Sequence, residues 1–426
     1  MKQIIQSLKG TRDFYPEVKA VLSWLNGVIR DVSQAYGYQE WDGPFLEKID
    51  LYAAKSGEEL VKEQAFVFED RGGDPIALRP ELTPTLARMV AQRQGELIFP
   101  LRWWSFGPFW RYERPQRGRT REFFQWNIDL IGTTQPESDG ELVAVAASFF
   151  QKLGLRPDQV KILVNNRRLM DSELARLGVE PEIRAKVVHL IDRQDKMKPE
   201  EWNANGLELG LTTDQLAQLN LLLADSELWR RSEELERMFA VLNAMGLQDY
   251  VQYDARIIRG LDYYTGTVFE ARDQDGGRAI LGGGRYDNLV SAVGGDPLPG
   301  IGFAMGDVMI TLILQKYGLI PELPQTPAQV LVTIFDEASI VSAYRLAAEL
   351  RRDGIGAVVY PEAAKLIKQL KYADRLGIQW AIIVGPDEEA SGQVTIKDLA
   401  GRTQETVSRS ALVERFSGSS ASSEPR

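Results

Sequence analysis

Hydrophobic positions along the chain fall into regimes of different period. Between Glu17 and Tyr36, Val18, Leu22, Leu25, Ile29 and Val32 recur at the spacing of one apolar helix face, and Gly37 supplies a stop. A short strand, Tyr38 to Asp42, should follow and run out at Pro44, which has no N–H to give to a ladder. From Phe66 to about Gly132 the pattern becomes short strands and turns, with a glycine turn at Gly72-Gly73 and a polar helix after Pro84. The alternation in Phe123 to Ile131 sets Gln125, Asn127 and Asp129 on one face and Phe124, Trp126, Ile128 and Leu130 on the other. One face is expected to be core and the other wet.

The strand signal fades from about Asn165 to Gln248, where leucine-rich, charge-rich segments read as amphipathic helices, an inserted helical unit at about residues 168–248. Strand character returns in Tyr253 to Ala271 and Arg278 to Leu281, joined through DQDGG, and Gly300 to Tyr317 reads as a strand running into a helix. A proline-spaced stretch, residues 321–328, reads as a linker. Beyond it, VLVTIF, GAVVY and WAIIVG alternate with helical stretches at Glu337 to Arg352 and up to Leu376. Apolar strands of that kind must be covered on both faces, so residues 329–416 predict a small α/β domain with a largely parallel sheet. The remainder, 417–426, reads as a flexible tail, and residues 1–320 as one α+β domain interrupted by the helical insertion.

Composition narrows the chemistry. At 426 residues, 44% hydrophobic and 26% charged, the chain has the makeup of a soluble globular protein of two or three domains. The absence of cysteine excludes disulfides, thiolate zinc sites and cysteine nucleophiles, and fits a reducing compartment. With a single histidine, His189, in the helical run AKVVHLID, a multi-histidine metal site is excluded and His189 is expected on a solvated or packed helix face. The net charge of −10 argues against nonspecific nucleic-acid binding over the whole surface but leaves room for a local basic patch. The first residues, MKQIIQSLKGTRDFYP, lack the apolar core of a signal sequence, and a cytoplasmic protein is expected.

Four stretches concentrate groups able to do chemistry. In residues 105–132, Arg111 and Glu113 share a strand face, and the connection to the next strand carries Arg114, Arg117, Arg119 and Arg121. An arginine-rich hairpin with a polar inner face suits a polyanion, because guanidinium groups present paired donors to phosphate oxygens, although a solvated surface hairpin has the same pattern. In RPELTPTLAR, Glu81 and Thr83 precede a helix and could be a substrate site or ordinary capping residues. RGLDYYTGTVFE combines Arg259 with Tyr263 and Tyr264, and LGGGRYDNL is glycine-rich without either nucleotide-loop fingerprint. In the C-terminal region, Lys365, Lys368, Tyr372 and Arg375 fall on one helix face, either a nucleic-acid platform or a solvated surface.

In this order the stretches resemble the histidyl-tRNA synthetases, class II aminoacyl-tRNA synthetases, over nearly the whole chain. GTRDFYP with the helix, strand and Pro44 is similar to the opening and motif 1, and RYERPQRGRTREFFQ to motif 2. RGLDYYTGTVFE and GGGRYDNL resemble the two stretches peculiar to the family, PGIGFAMG the start of motif 3, and LIKQLKYADRLGIQWAIIVG the anticodon-binding domain. The resemblance implies an antiparallel class II catalytic sheet, a C-terminal anticodon-binding domain and a homodimer formed through motif 1. It implies that ATP activates histidine to histidyl-adenylate, with Mg²⁺ accompanying the phosphates and no zinc, and that the aminoacyl group then passes to tRNA. Arg111 would hold the α-phosphate, Glu113 the adenine amino group, and Arg119 the outer phosphates. Glu81, Thr83 and Gln125 would gather the α-amino group of histidine. Asp129 and Tyr264 would read the two imidazole nitrogens, with Tyr263 and Tyr286 lining the pocket and Arg259 between carboxylate and α-phosphate. Gln116 and Arg117 would approach the tRNA acceptor end; Lys365, Lys368, Tyr372 and Arg375 would meet the anticodon.

The chain departs from the family at motif 3, whose usual arginine binds the ATP γ-phosphate: GFAMGDVMITL places Asp307, Val308 and Met309 there, and Met309 cannot bind phosphate. Compensation by Arg119 or Arg121 is one reading. A silent histidine-sensing relative such as the regulatory subunit of ATP phosphoribosyltransferase is a second, and a non-catalytic tRNA-binding module a third. The anticodon-domain-like segment and the retained Glu81, Gln125 and Arg259 favour the enzyme.

Overall fold

The computed structural model describes residues 4–53, 64–194, 197–258 and 263–417. The chain divides into two compact units, one made of residues up to 13 and from 22 to 320, the other of residues 14–21 and 321 onward.

The first unit is built on an eight-stranded sheet in the order Gln39–Glu40, Leu101–Trp110, Glu122–Ile131, Gly300–Gly306, Leu281–Tyr286, Thr267–Asp273, Val160–Asn166, Val251–Tyr253. The inner pairings are all antiparallel, and only the outermost strand at each edge runs parallel to its neighbour. Helix Pro136–Lys152 buries almost its whole length, from Leu142 to Phe150, in the main core, together with Leu25, Val28, Ile29 and Val32 of helix Pro16–Ala35. Trp126 is fully buried there, its ring 5.1 Å from Phe149 and 4.8 Å from Phe303. Trp126, Ile128 and Leu130 therefore make the core face that the period of two predicts. The opposite face is polar but not wet, because Asn127 and Asp129 are themselves buried beneath other residues.

Among the described residues of 167–244 there are five α-helices: Arg167–Arg176, Pro181–Asp192, Pro199–Glu208, Thr213–Ala224 and Glu233–Ala244. His189 is exposed on the second of them. Of the strand character expected over Tyr253 to Ala271, the described residues form strands at Val251–Tyr253 and Thr267–Asp273, and Asp254 accepts from the Arg256 N–H at 2.9 Å in a turn after Tyr253. The next strand starts at Leu281 rather than Arg278.

In the second unit the strand order is Ala357–Val359, Val330–Val332, Trp380–Ile383, Gln393–Asp398, Thr403–Ser408. The three apolar strands are parallel, but the last two form an antiparallel hairpin that the sequence reading missed, so the sheet is mixed. Thr403–Ser408 is almost wholly exposed at the edge, and a strand with so little apolar content carries no periodic signal. Gln369 is buried within helix Leu366–Arg375: its Nε2 donates to the Ile334 and Ala364 carbonyls, both at 2.7 Å, and its Oε1 accepts from the Ile334 N–H at 2.9 Å. These bonds fix the helix against the segment that follows strand Val330–Val332. Helix Leu412–Ser417 closes the described chain, and the expected tail beyond it lies outside the described residues.

Candidate active site

The register of the large sheet makes a trough. Asp129, Gly302, Gly284 and Val268 lie side by side across four strands, and Asn127, Ala304, Gly282 and Glu270 form the next row. Gly306 stands opposite Gln125 in the row after that. In these three rows the two inner strands present only glycine and alanine, while their neighbours raise Gln125, Asn127 and Asp129 on one side and Glu270 on the other. The glycine-rich stretch is a floor, not a phosphate loop: Gly282, Gly283 and Gly284 sit in the strand Leu281–Tyr286. A Cβ on Gly302 would collide with Asp129 Oδ1 and lie 2.8 Å from Asp129 Cγ and from the Ile128 carbonyl oxygen. Gly302→Ala should therefore displace Asp129 and lower kcat/KM for histidine by roughly 10²-fold, with a smaller change in KM for ATP, as steady-state kinetics with each substrate varied would show.

Over the trough lies a cavity of about 290 Å³ lined by Glu81, Thr83, Arg111, Gln125, Asn127, Asp129, Tyr263, Tyr264, Glu270 and Tyr286, with Gly282, Gly283 and Gly302 beneath. Tyr286 donates its hydroxyl proton to Asp129 Oδ1 at 2.7 Å. Its ring stands edge-on to Tyr263 at 6.2 Å, and Tyr263 edge-on to Tyr264 at 5.1 Å. Burial pushes the Asp129 carboxyl up to about 7, with the Tyr286 hydrogen bond pulling in the opposite direction. The same burial raises all three tyrosine hydroxyls well above their ordinary range, so they remain neutral donors. Asp129 and Tyr264 both line the cavity and interact electrostatically, a carboxyl and a phenol able to bond the two edges of a small heteroaromatic ring.

The capping alternative for Thr83 does not hold. Thr83 is the first residue of helix Thr83–Arg93, whose start carries no side-chain cap, and its hydroxyl hydrogen-bonds the Tyr263 side chain instead. Sequence reasoning assigned no role to Asn127, Glu270 or Arg167. Asn127 Nδ2 is buried without a hydrogen-bond partner and belongs to the cavity wall, and Arg167 Nη1 donates to the Tyr264 carbonyl at 2.8 Å, holding that residue in place. Asn127 was already on the polar face of its strand, which was the available signal.

A second cavity, of about 230 Å³, is lined by Arg111, Glu113, Gly118, Arg119, Phe123, Gln125, Ala279, Gly282, Ala304, Gly306, Val308 and Met309. Arg111, Gln125, Gly282 and Ala304 line both cavities, so the two are contiguous and Arg111 stands at their junction. The Arg111 Nε donates to the Pro80 carbonyl at 2.9 Å and the guanidinium lies 5.3 Å over the Phe123 ring. Arg119 is ion-paired to Glu113 at 3.0 Å, so in this state the two residues expected at opposite ends of a nucleotide hold each other. Arg121 is stacked on Tyr112 at 4.0 Å and donates to the Glu113 carbonyl, which commits it to the loop's own structure rather than to a ligand. Gln116 and Arg117 are exposed at the loop tip, where Gln116 and Arg119 exchange backbone hydrogen bonds of 2.8 and 3.0 Å.

The motif 3 departure has a structural role. Asp307 accepts from the Phe124 N–H at 2.9 Å and pairs with Arg12 at 2.9 and 3.2 Å, tying GTRD to the motif 2 strand and to the helix Asp307–Tyr317. Arg259 lies outside the described residues. Lys365, Lys368, Tyr372 and Arg375 are all exposed on or beside helix Leu366–Arg375, where Tyr372 stands edge-on to Tyr360 at 5.4 Å and Lys368 pairs with Glu362 at 2.6 Å. Among the described residues no group of three or more His, Cys, Asp or Glu side chains is placed to hold a metal ion, and no helix is long and apolar enough to cross a membrane.

A family model described as histidyl-tRNA synthetase matches residues 10–308, and one described as an anticodon binding domain matches residues 329–418. The chain is 36% identical to a histidine–tRNA ligase of Leptospira biflexa, with 97% of this chain and 98% of the relative covered. It is 37% identical to a chloroplastic/mitochondrial histidine–tRNA ligase of Arabidopsis thaliana, covering 95% of this chain and 85% of that one. The fold matches the crystal structure of histidyl-tRNA synthetase from Nostoc at a TM-score of 0.84 and 24% identity, over 98% of this chain and 100% of that one. An antiparallel sheet with a glycine-floored polar trough, a motif 2 arginine at the junction of two cavities, and these full-length likenesses lead to one conclusion: the chain belongs to the histidyl-tRNA synthetase family of class II aminoacyl-tRNA synthetases.

Proposed function

We propose that the protein works as a histidine–tRNA ligase in two steps at the paired cavities. The observation that carries this reading is the placement of Arg111 where the aromatic, carboxyl-bearing cavity meets the arginine-bearing one. Histidine occupies the first, its imidazole between Asp129 and Tyr264, lined by Tyr263 and Tyr286, and its α-amino group near Glu81, Thr83 and Gln125. ATP occupies the second, its adenine amino group at Glu113 and its outer phosphates toward Arg119, which requires the Arg119–Glu113 pair to part. The histidine carboxylate oxygen then attacks the α-phosphorus, the bond to the bridging oxygen breaks and pyrophosphate leaves. Arg111 and Arg259 steady the charge on the reacting phosphate, and the remaining work is positioning. Mg²⁺ would arrive with the phosphates and neutralise part of their charge.

In the second step the terminal ribose hydroxyl of tRNA attacks the activated carbonyl and AMP leaves. Gln116 and Arg117 are suited to the acceptor end by their exposure at the loop tip. Lys365, Lys368, Tyr372 and Arg375 combine cations with an exposed ring, the combination that unstacked anticodon bases require. We assign residues 1–320 to the catalytic domain, with the helical insertion at about 168–248, 321–328 to the linker and 329–416 to the anticodon-binding domain. A cytoplasmic homodimer is the proposed setting.

The test is histidine-dependent exchange of labelled pyrophosphate into ATP, with and without Arg259→Ala. Exchange that needs histidine and collapses in the variant is the expected result. Histidine binding with no exchange would replace this reading by that of a histidine sensor.

A further inference from the structure

The departure at motif 3 leaves a question of charge. A methionine replaces the arginine that resembling enzymes direct at the γ-phosphate, Arg121 is committed to Tyr112, and with Arg111 at the α-phosphate Arg119 is left to serve the outer two. A Cβ built on Gly118, at the motif 2 loop tip, would lie 2.6 Å from Met309 Sδ and 3.8 Å from Arg278 Cδ. The loop tip, the Met309 thioether and the Arg278 side chain thus converge on one point at the wall of the second cavity, which Ala279, the residue after Arg278, also lines.

Among the described residues Arg278 has no partner that would explain its place: its Nη1 is buried without a hydrogen bond, and it forms no ion pair. The carboxylates nearest to it in sequence are taken: Lys316 bonds both Asp273 and Asp275, the latter at 2.7 Å, and Arg272 bonds Glu270. A guanidinium cannot shed its proton, and one with a buried, unmatched N–H is costly unless an anion arrives to meet it.

We propose that Arg278 binds the terminal phosphates of ATP, taking over at the motif 3 wall the role that Met309 cannot perform. The arginine reaches the same corner from the hairpin before GGGRYD instead of from the helix after PGIGFAMG. Its forked donors bind two phosphate oxygens, and it holds the departing pyrophosphate while Arg111 holds the α-phosphate. This inference rests on the ligase reading of the site.

The test compares Arg278→Ala and Arg278→Lys with the unaltered protein, measuring ATP and AMP affinity by titration calorimetry and histidine-dependent pyrophosphate exchange. ATP affinity should fall at least about tenfold in Arg278→Ala while AMP affinity stays unchanged, and the exchange rate should fall on the order of 10²-fold with KM for histidine unaltered. Arg278→Lys, which keeps the charge and loses the fork, should fall between the two. Equal losses for ATP and AMP, or no loss for either, would overturn the assignment. Absence of histidine-dependent exchange in the unaltered protein would overturn the ligase reading instead.

Discussion

Replacing Arg111 by alanine should lower the rate of histidine-dependent pyrophosphate exchange by roughly 10²–10³-fold, the cost of removing one donor aimed at developing charge in a water-poor site. The guanidinium is positioned before any substrate arrives: its Nε is held by the Pro80 carbonyl and its plane lies over Phe123. Its Nη atoms make no hydrogen bond among the described residues and stand at the junction of the two cavities. Stability should change little, because the one lost bond is to a backbone carbonyl beside the cavity. Arg111→Lys should not restore the rate, since a single ammonium cannot bond Pro80 and two phosphate oxygens at once. An exchange rate within tenfold of the unaltered protein, with an unshifted melting midpoint, would contradict the placement of the α-phosphate at Arg111.

Asp129→Asn should have opposite effects on binding and on stability. Burial raises the Asp129 carboxyl to about 7 in the folded protein, against an ordinary value near 4 in the unfolded chain. The folded state therefore holds this proton more tightly than the unfolded state does. Stability from this group is highest below about pH 4, declines as pH rises toward about 7, and stays at its lower level above that. Asparagine cannot ionise yet still offers an oxygen to the Tyr286 hydroxyl, so the variant should resist urea better than the unaltered protein at pH 8 and no better at acid pH. The same change removes the carboxylate that would accept an imidazole N–H, and a hydrogen bond to a charged group is worth on the order of 10–100-fold in affinity. KM for histidine should rise by that factor at pH 8 with KM for ATP unchanged. Urea midpoints of variant and parent that run parallel from pH 5 to pH 8 would refute the first half, and an unchanged KM for histidine the second.

The contrast between these two residues has a physical basis. Arg111 sits at the meeting point of the cavities, where its charge is met by substrate phosphate. Asp129 is a carboxyl kept out of water in a sheet interior for the sake of a ligand, and the free protein is less stable for it.

Much of the site was legible along the chain because its signals are local. The period of two in Phe123–Ile131 separated Gln125, Asn127 and Asp129 from the Trp126 core face without reference to any other strand. The helical spacing of Lys365, Lys368, Tyr372 and Arg375 placed them on one exposed face, and the order of the motifs carried the family. What is not local could not be read this way. GGGRYD read only as glycine-rich, without a nucleotide-loop fingerprint, because no rule of spacing says that Gly282 and Gly284 will lie beside Ala304 and Gly302, or that the strand Gly300–Gly306 will in turn lie beside Asn127 and Asp129. Met309 looked like a loss, and only packing brings Gly118, Met309 and Arg278 to one corner and turns Asp307 into the anchor of Arg12.

The sequence by itself determined which residues are polar and apolar on each element, hence the strand faces, the helix faces and the chemistry available. Tertiary structure decided which of those residues share a cavity, which arginines are already committed, and how far burial shifts Asp129. The reason is that pairing, desolvation and steric approach depend on neighbours in other elements, as Asp129 depends on Tyr286 and Gly118 on Met309, and no period along the chain encodes them.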